Sequence, residues 1–112
     1  MIEHNVYFTL YDNSPDARRK LLDACRKYLV DLPGILGFAC GTLAADHVRP
    51  VNDRDFDVSL HVTFADKAAH DRYHVSDAHD RFVAESESNW KQARVFDSVV
   101  DWTPDHPRGS RE

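Results

Sequence analysis

Apolar and polar residues alternate along two stretches of the chain, residues 2–11 and 55–64. A period of two is the pattern of a β-strand that buries one face and exposes the other. The apolar faces of the two stretches carry large side chains, namely Val6, Phe8, Phe56, Leu60 and Phe64. Because half-buried strands need a layer that covers their apolar side, these stretches favour a sheet packed against helices.

The rest of the chain supplies the covering layer and further strands. Ser14 is the predicted N-cap of a helix that has Pro15 at its first position and repeats apolar residues at helical spacing to about Val30. Helical patterns also cover residues 66–74 and 77–91. The other ranges are assigned by the same criteria: strands at 35–45 and 93–102, a charged loop at 46–54 and a flexible tail at 103–112.

These elements predict a single domain over residues 1–102 with the order βαββ(α)αβ. This order is typical of an α+β fold with helices on one face of an antiparallel sheet. Tyr7, Tyr11 and His61 fall on the face that the helices leave uncovered. Because mixed, partly apolar faces of this kind usually find a partner, the pattern predicts a homodimer formed through the sheet.

Two side chains suited to proton transfer flank a break in the second helical region. On one continuous helix Tyr73 and His79 would point apart, because six residues make about 600° of rotation. Ser76 and Asp77 are N-cap residue types, so a new helix can begin there and turn the phenol and the imidazole toward each other. The pair is a candidate for acid–base chemistry, and a structural core histidine is the alternative interpretation.

Two opposing effects act on the protonation of His79. The positive end of a helix dipole and apolar burial both favour the neutral imidazole. The neighbouring carboxylates of Asp77 and Asp80 favour the cation, and their direction decides which effect prevails. A neutral His79 can accept a proton, while Tyr73 can hold a developing oxyanion through its O–H group.

Composition argues against several classes of partner. The 112-residue chain has a formal net charge of −5 and no basic cluster larger than residues 18–20, so neither nucleic acid nor a membrane is an expected partner. No signal-peptide pattern and no apolar run long enough to span a bilayer is present, so a cytoplasmic location is expected. Cys25 and Cys40 lie among apolar residues and are predicted to be buried free thiols.

Short motifs in a fixed order resemble the stress-responsive A/B barrel (Dabb) family. The resemblance runs from His4 to about Asp101, which is nearly the whole chain. It rests on these segments: His4-Asn5-Val6-Tyr7-Phe8, Leu32-Pro33-Gly34-Ile35, Phe56-Asp57-Val58, Val62-Thr63-Phe64, Tyr73 with Ala78-His79, and Val95-Phe96-Asp97. The resemblance implies a ferredoxin-like unit that pairs into a dimeric α/β barrel.

The resemblance also implies a site. One branch of the family, which includes a plant olivetolic acid cyclase, closes a ring in a polyketide chain without a cofactor. The catalytic tyrosine and histidine of that enzyme correspond by motif to Tyr73 and His79, so the resemblance implies cyclase or lyase chemistry on a small aromatic or polyketide-like molecule. His4, a residue with which the family often begins, is expected in the same pocket. The other expected walls of this substrate pocket are Val6, Phe8, Leu21, Cys25 and Phe82.

The chain departs from the family pattern in two places. Ser76-Asp77 stands where the family often has His-Pro, which puts a carboxylate beside the expected base. Glu85 falls where the cyclase has an apolar residue, so it is expected deep in the pocket, where it would disfavour a long apolar tail.

Two other functions also fit the sequence. A non-catalytic dimer that binds a small molecule or serves a stress response is one alternative, and a cofactor-independent monooxygenase-like barrel is another, by fold analogy. His70 and His74 are four residues apart, as two metal ligands on one helix face would be. The chain has no HExxH motif and no third histidine at helical spacing, so neither a metal site nor a cofactor is expected.

Overall fold

The computed structural model describes residues 1–104, so nearly all of the predicted tail at 103–112 lies outside the described residues. The elements follow in chain order: strand β1 (Ile2–Leu10), helix α1 (Pro15–Leu29), strand β2 (Ile35–Thr42), strand β3 (Val58–Phe64), helix α2 (Lys67–His74), helix α3 (Asp77–Ser86) and strand β4 (Trp90–Val99). A short 3-10 turn, Glu87–Asn89, joins α3 to β4. This order confirms the predicted α+β arrangement.

The strands form one antiparallel sheet in the order β2-β3-β1-β4. Alternate residues of β1 are buried from His4 to Leu10, which marks the face that the helices cover. The helices do not reach across β4, since Val95 and Val99 on the same face are 52% and 80% exposed. The gap between the helices and β4 is where the candidate site lies.

The core lies between the covered face of the sheet and the helices. Its largest fully buried side chains come from both layers: Phe8, Leu29, Val58, Leu60, Val62, Phe64 and Cys25. Burial of each large apolar side chain contributes about 1.5–3 kcal/mol to folding, so this layer supplies the main stabilisation. Cys25 and Cys40 are both free thiols, the first buried and the second partly exposed.

Side-chain caps explain where the helices begin. Ser14 accepts a hydrogen bond from the backbone N–H of Ala17 at 3.2 Å, and Pro15 follows at the first helical position, as the sequence predicts. The carboxylate of Asp66 caps α2 in the same way. Ser76 caps α3, so the predicted break between the two short helices is confirmed.

Several predicted boundaries are wrong: β2 ends at Thr42 rather than at residue 45, and β4 covers Trp90–Val99 rather than 93–102. Two others, the start of β3 and the end of α3, are wrong because tertiary contacts override the local pattern. Strand β3 begins at Val58 rather than at residue 55, since the backbone N–H of Asp57 donates to the carbonyl of Phe8 and its carboxylate accepts from the backbone N–H of Leu10. The chain turns there, so Phe56 packs on Tyr7 of the uncovered face, with ring centroids 5.0 Å apart, and not toward the helices.

Helix α3 ends at Ser86, five residues before the predicted end at 91. Asn89 is held by the loop between β1 and α1: its side chain accepts from the backbone N–H of Asp12 at 2.8 Å and donates to the carbonyl of Asp12 at 2.9 Å. Its carbonyl also accepts from the backbone N–H of Tyr11. These bonds turn the chain into β4, and Trp90 becomes the first strand residue.

The turn before β2 fixes the distance between α2 and the sheet. Gly34 has φ 86°, a conformation that side-chain-bearing residues rarely adopt. A Cβ atom at this position would clash with the Cβ of Ala69 in α2. Glycine therefore permits both the turn and the close approach of α2. Within residues 1–104, no helix is long and apolar enough to cross a membrane.

Candidate active site

A cavity of about 320 Å³ lies between the sheet and the two short helices. Its apolar wall includes Val6, Phe8 and Phe82, all three of which the sequence places in the pocket. Its polar side chains converge from α2, α3 and two strands: His4, His70, Tyr73, His74, His79 and Asp97. Such a concentration of titratable groups in a largely apolar cavity marks a candidate functional site.

The junction of α2 and α3 positions Tyr73 and His79. Tyr73 lies in the last turn of α2 and is buried, whereas His79 lies in the first turn of α3 and is half-buried. The hydroxyl of Ser76 donates to the carbonyl of Tyr73 at 2.8 Å and accepts from the backbone N–H of His79 at 3.1 Å. The ring centroids of the pair are 5.1 Å apart, and both rings line the same cavity.

Burial keeps the phenol of Tyr73 protonated. Desolvation raises its pKa well above the ordinary value of 10.0, with a smaller contribution from Cys25. Within residues 1–104 its hydroxyl has no hydrogen-bond partner. The O–H group is therefore free to donate to an oxygen atom of a bound molecule.

The opposing effects on His79 resolve in favour of the neutral imidazole. Burial lowers its pKa below the ordinary value of 6.5, and the nearby His74 acts in the same direction. Asp80 raises the pKa but is outweighed. At neutral pH the ring of His79 is thus a base able to accept a proton.

His4 forms the floor of the cavity together with Asp97. The Nδ1 atom of His4 is 2.5 Å from Oδ1 of Asp97, its neighbour on β4. The imidazole of His4 is buried and lies edge-on to the rings of Tyr73 and His70, at centroid distances of 5.9 and 5.2 Å. The hydrogen bond between this ring and the carboxylate of Asp97 fixes the orientation of the ring.

His70 and His74 lie on the cavity side of α2. Their rings stack with centroids 6.2 Å apart, and Nδ1 of His70 is 3.3 Å from Oδ1 of Asp71. His4, His70 and Asp97 each offer one ligand atom, and these atoms lie within 4.8 Å of one another. Among the described residues this trio, rather than the helical pair His70 and His74, is the group that could hold a metal ion.

Three expectations about the pocket are corrected. Leu21 lines a separate cleft between the start of α1 and the end of α3, and Cys25 is fully buried in the core and does not line the cavity. Glu85 also belongs to that cleft, where its carboxylate accepts a hydrogen bond from the hydroxyl of Tyr28 at 2.9 Å. All three lie on the α1 side of the helical layer. Because Glu85 lies there, the residues that line the cavity include no carboxylate from α3.

Sequence reasoning misses the part that β4 plays in the site. Asp97 lies at an inward-facing position of an otherwise apolar face, between Val95 and Val99, and a carboxylate in that pattern is a signal that could have identified it. The indole N–H of Trp90 is buried at the cavity wall without a hydrogen-bond partner among the described residues. His70 is also more enclosed than its charged helix predicts.

Comparison with known proteins agrees with the geometry. Residues 2–100 match the sequence profile of the Stress responsive A/B Barrel Domain. A Dabb-family protein with a ferredoxin-like fold from Mesorhizobium loti is 25% identical, with a TM-score of 0.73 over 88% of this chain and 95% of that chain. The predicted ferredoxin-like fold is therefore confirmed.

Two more distant structures share the fold. A dimeric ferredoxin-like protein of unknown function from Thermobifida fusca is 16% identical, with a TM-score of 0.73 over 88% of this chain and 90% of that chain. A hydroxynitrile lyase from Passiflora edulis is 18% identical, with a TM-score of 0.72 over 91% of this chain and 94% of that chain. No curated protein matches the chain.

Proposed function

The chain belongs to the stress responsive A/B barrel domain family, and from that premise we propose that it is a homodimeric, cofactor-independent lyase or cyclase. Its substrate is a small aromatic or polyketide-like molecule, bound in the cavity between the sheet and helices α2 and α3. The observation that carries the proposal is the pairing of a neutral imidazole, His79, with a protonated phenol, Tyr73, on the wall of one cavity.

The two groups divide the chemistry between them. His79 takes a proton from an acidic C–H or O–H group of the substrate and becomes an imidazolium ion. The charge left on the substrate collects on an oxygen atom, to which the O–H group of Tyr73 donates a hydrogen bond. After the C–C bond has formed or broken, the imidazolium returns its proton to the product. Each step conserves protons, and no oxidant or reductant is required.

The size and polarity of the cavity support a small aromatic substrate. At about 320 Å³ it lies at the lower end of the range of about 300–1,000 Å³ that is typical of small-molecule sites. Phe8, Phe82 and Trp90 surround it with aromatic faces. Because Glu85 lies in the other cleft, no carboxylate from α3 opposes an apolar ring or a short alkyl group.

The homodimer is part of the same proposal. On the uncovered face of the sheet, Tyr7 is in ring contact with Phe56 at 5.0 Å and with Phe96 at 5.8 Å. Phe96 is 51% exposed, so this aromatic group lacks a covering layer within one chain. A second copy placed against this face would bury it. Solved structures described as dimeric share the fold, which supports the same arrangement.

The experiment uses mandelonitrile as a lyase probe and salicylate as a binding probe, on the wild-type protein and on His79→Ala and Tyr73→Phe. Release of benzaldehyde is followed by its absorbance, and salicylate binding is followed by calorimetry. Both variants are expected to retain the fold and to lose turnover. If salicylate binding requires both residues but no turnover is seen, the protein is a non-catalytic dimer that binds a ligand. The proposal would be refuted if a wider panel of aromatic carbonyl compounds gave no binding and no turnover.

A further inference from the structure

We infer that the protein binds a divalent transition-metal ion at the floor of the cavity through His4, His70 and Asp97. The three residues come from β1, α2 and β4, and one ligand atom from each lies within 4.8 Å of the other two. Two imidazoles and one carboxylate suit Zn²⁺, Co²⁺, Ni²⁺ or Fe²⁺, whereas Mg²⁺ and Ca²⁺ prefer a shell of oxygen atoms.

The geometry needs little adjustment to hold an ion. Bonds from Zn²⁺ to imidazole nitrogen and carboxylate oxygen are about 2.0–2.2 Å long, so the ligand atoms of one ion lie roughly 3–4 Å apart. Side-chain movements that shift the ligand atoms by about 1 Å would therefore complete the site. Strand pairing already holds His4 opposite Asp97. Their Nδ1 and Oδ1 atoms, 2.5 Å apart, would separate by about 1 Å to admit an ion. A bound ion would replace the hydrogen bond between these two atoms, because side chains that bind a metal ion must give up the proton at the ligand atom.

The surroundings of the trio resemble those of a metal site. The carboxylate of Asp71 lies 3.3 Å from Nδ1 of His70, which leaves Nε2 of that ring for an ion. A carboxylate that orients a histidine from behind is the usual outer partner of a metal-binding imidazole. Solvent reaches the site, because the side chains of His70 and Asp97 are 24% and 47% exposed while His4 lies beneath them.

An ion bound here would lie in the cavity that Tyr73 and His79 also line. His79 is not one of the ligands. Metal binding therefore does not depend on His79 acting as a base, and the two properties can be measured separately.

The test titrates Zn²⁺ into the chelator-treated, full-length protein by calorimetry, and Co²⁺ by visible absorption. One ion per chain is expected, with Co²⁺ giving the visible bands of a low-coordinate nitrogen and oxygen site. Asp97→Asn and His70→Ala are each expected to weaken Zn²⁺ binding at least about tenfold. Asp97 has an exposed side chain, so its amide variant keeps the test usable if His70→Ala is unstable.

Two control variants complete the design. His47→Ala removes an exposed histidine of the loop outside the cavity, and His79→Ala removes the proposed base. Both are expected to bind Zn²⁺ like the wild type. Wild-type affinity in the His70→Ala/Asp97→Asn double variant, or equal weakening by His47→Ala, would overturn the metal site. Loss of salicylate binding or mandelonitrile turnover in His79→Ala concerns the proposed function alone.

Discussion

The rings of Tyr73 and His79 meet across the junction of α2 and α3, with their planes at 66°. No hydrogen bond joins the two rings in the described part of the chain, residues 1–104. The hydroxyl of Ser76 holds them instead, through the carbonyl of one residue and the backbone N–H of the other. Both functional atoms are thus left for a ligand, while the helix cap sets their separation.

Replacing His79 by Gln should remove part of the pH dependence of stability. Burial lowers the pKa of His79 in the folded state, whereas the unfolded chain keeps the ordinary value of 6.5. Between the two values the unfolded state binds more protons, so the stability is complete above pH 6.5 and falls as the pH drops through the folded pKa. Thermal unfolding on both sides of pH 6.5 checks this. Equal pH slopes in wild type and His79→Gln would contradict it.

Removal of the phenolic hydroxyl should affect chemistry and spare the fold. Tyr73→Phe loses one hydrogen bond to developing charge, which corresponds to about 2–4 kcal/mol of transition-state stabilisation. Its melting temperature should stay close to that of the wild type, since the hydroxyl has no partner in residues 1–104. Tyr28→Phe is the matched control: it loses the hydrogen bond to Glu85 outside the cavity and should keep activity. A lower melting temperature with full activity in Tyr73→Phe would show a structural role.

The cap residue Ser76 should contribute to both stability and ligand binding. Ser76→Ala is expected to cost about 0.5–2 kcal/mol of stability, as other helix caps do. It also releases the junction that sets the distance from Tyr73 to His79, so binding of an aromatic ligand should weaken. Ser14→Ala removes the same kind of cap from α1, away from the cavity. Denaturant unfolding and calorimetry separate the cases: equal losses of binding in the two variants would refute a positioning role for Ser76.

Much of the fold follows from local signals. The alternation in β1, the Ser14-Pro15 start of α1 and the cap at Ser76 each act within a few residues, so the sequence predicts them. The start of β3 and the end of α3 differ from the prediction because contacts with residues distant in the sequence determine them. Asp57 is held by β1, and Asn89 is held by Asp12, 77 positions away in the chain. The periodicity of a short stretch of sequence carries no information about such long-range contacts.

The site is less predictable than the fold for the same reason. Tyr73 and His79 are close in sequence, and a helix break between them is visible in the residue types. The pairing of His4 with Asp97 joins residues 93 positions apart and depends on β1 and β4 being neighbours in the sheet. The assignment of Leu21 and Cys25 to the pocket fails because the helical spacing of α1 identifies its buried face but not the cavity behind that face.

Substitution of Gly34 should destabilise the protein and displace α2. Gly34→Ala places a side chain in a left-handed conformation, which costs about 1–3 kcal/mol, and adds a clash with Ala69. Because α2 carries His70 and Tyr73, ligand binding should weaken as well. Gly41→Ala is the control, since its Cβ would meet no atom within 4 Å and its φ is not positive. Similar unfolding midpoints in the two variants would contradict the proposed packing constraint.

A charge on the uncovered face of the sheet should separate the proposed dimer. Phe96→Glu puts a carboxylate into the aromatic group around Tyr7, where burial against a second copy would be unfavourable. Sedimentation at micromolar concentration should give a dimer for the wild type and a monomer of about 12.9 kDa for the variant. Val75→Glu adds the same charge at an exposed site next to α2 and should leave the dimer intact. If Phe96→Glu stays dimeric, or if the wild type sediments as a monomer, the uncovered face is not the interface.

Salicylate titration of the monomeric Phe96→Glu variant shows whether each cavity binds its ligand alone. We expect that it does, because the cavity is lined by residues of a single chain.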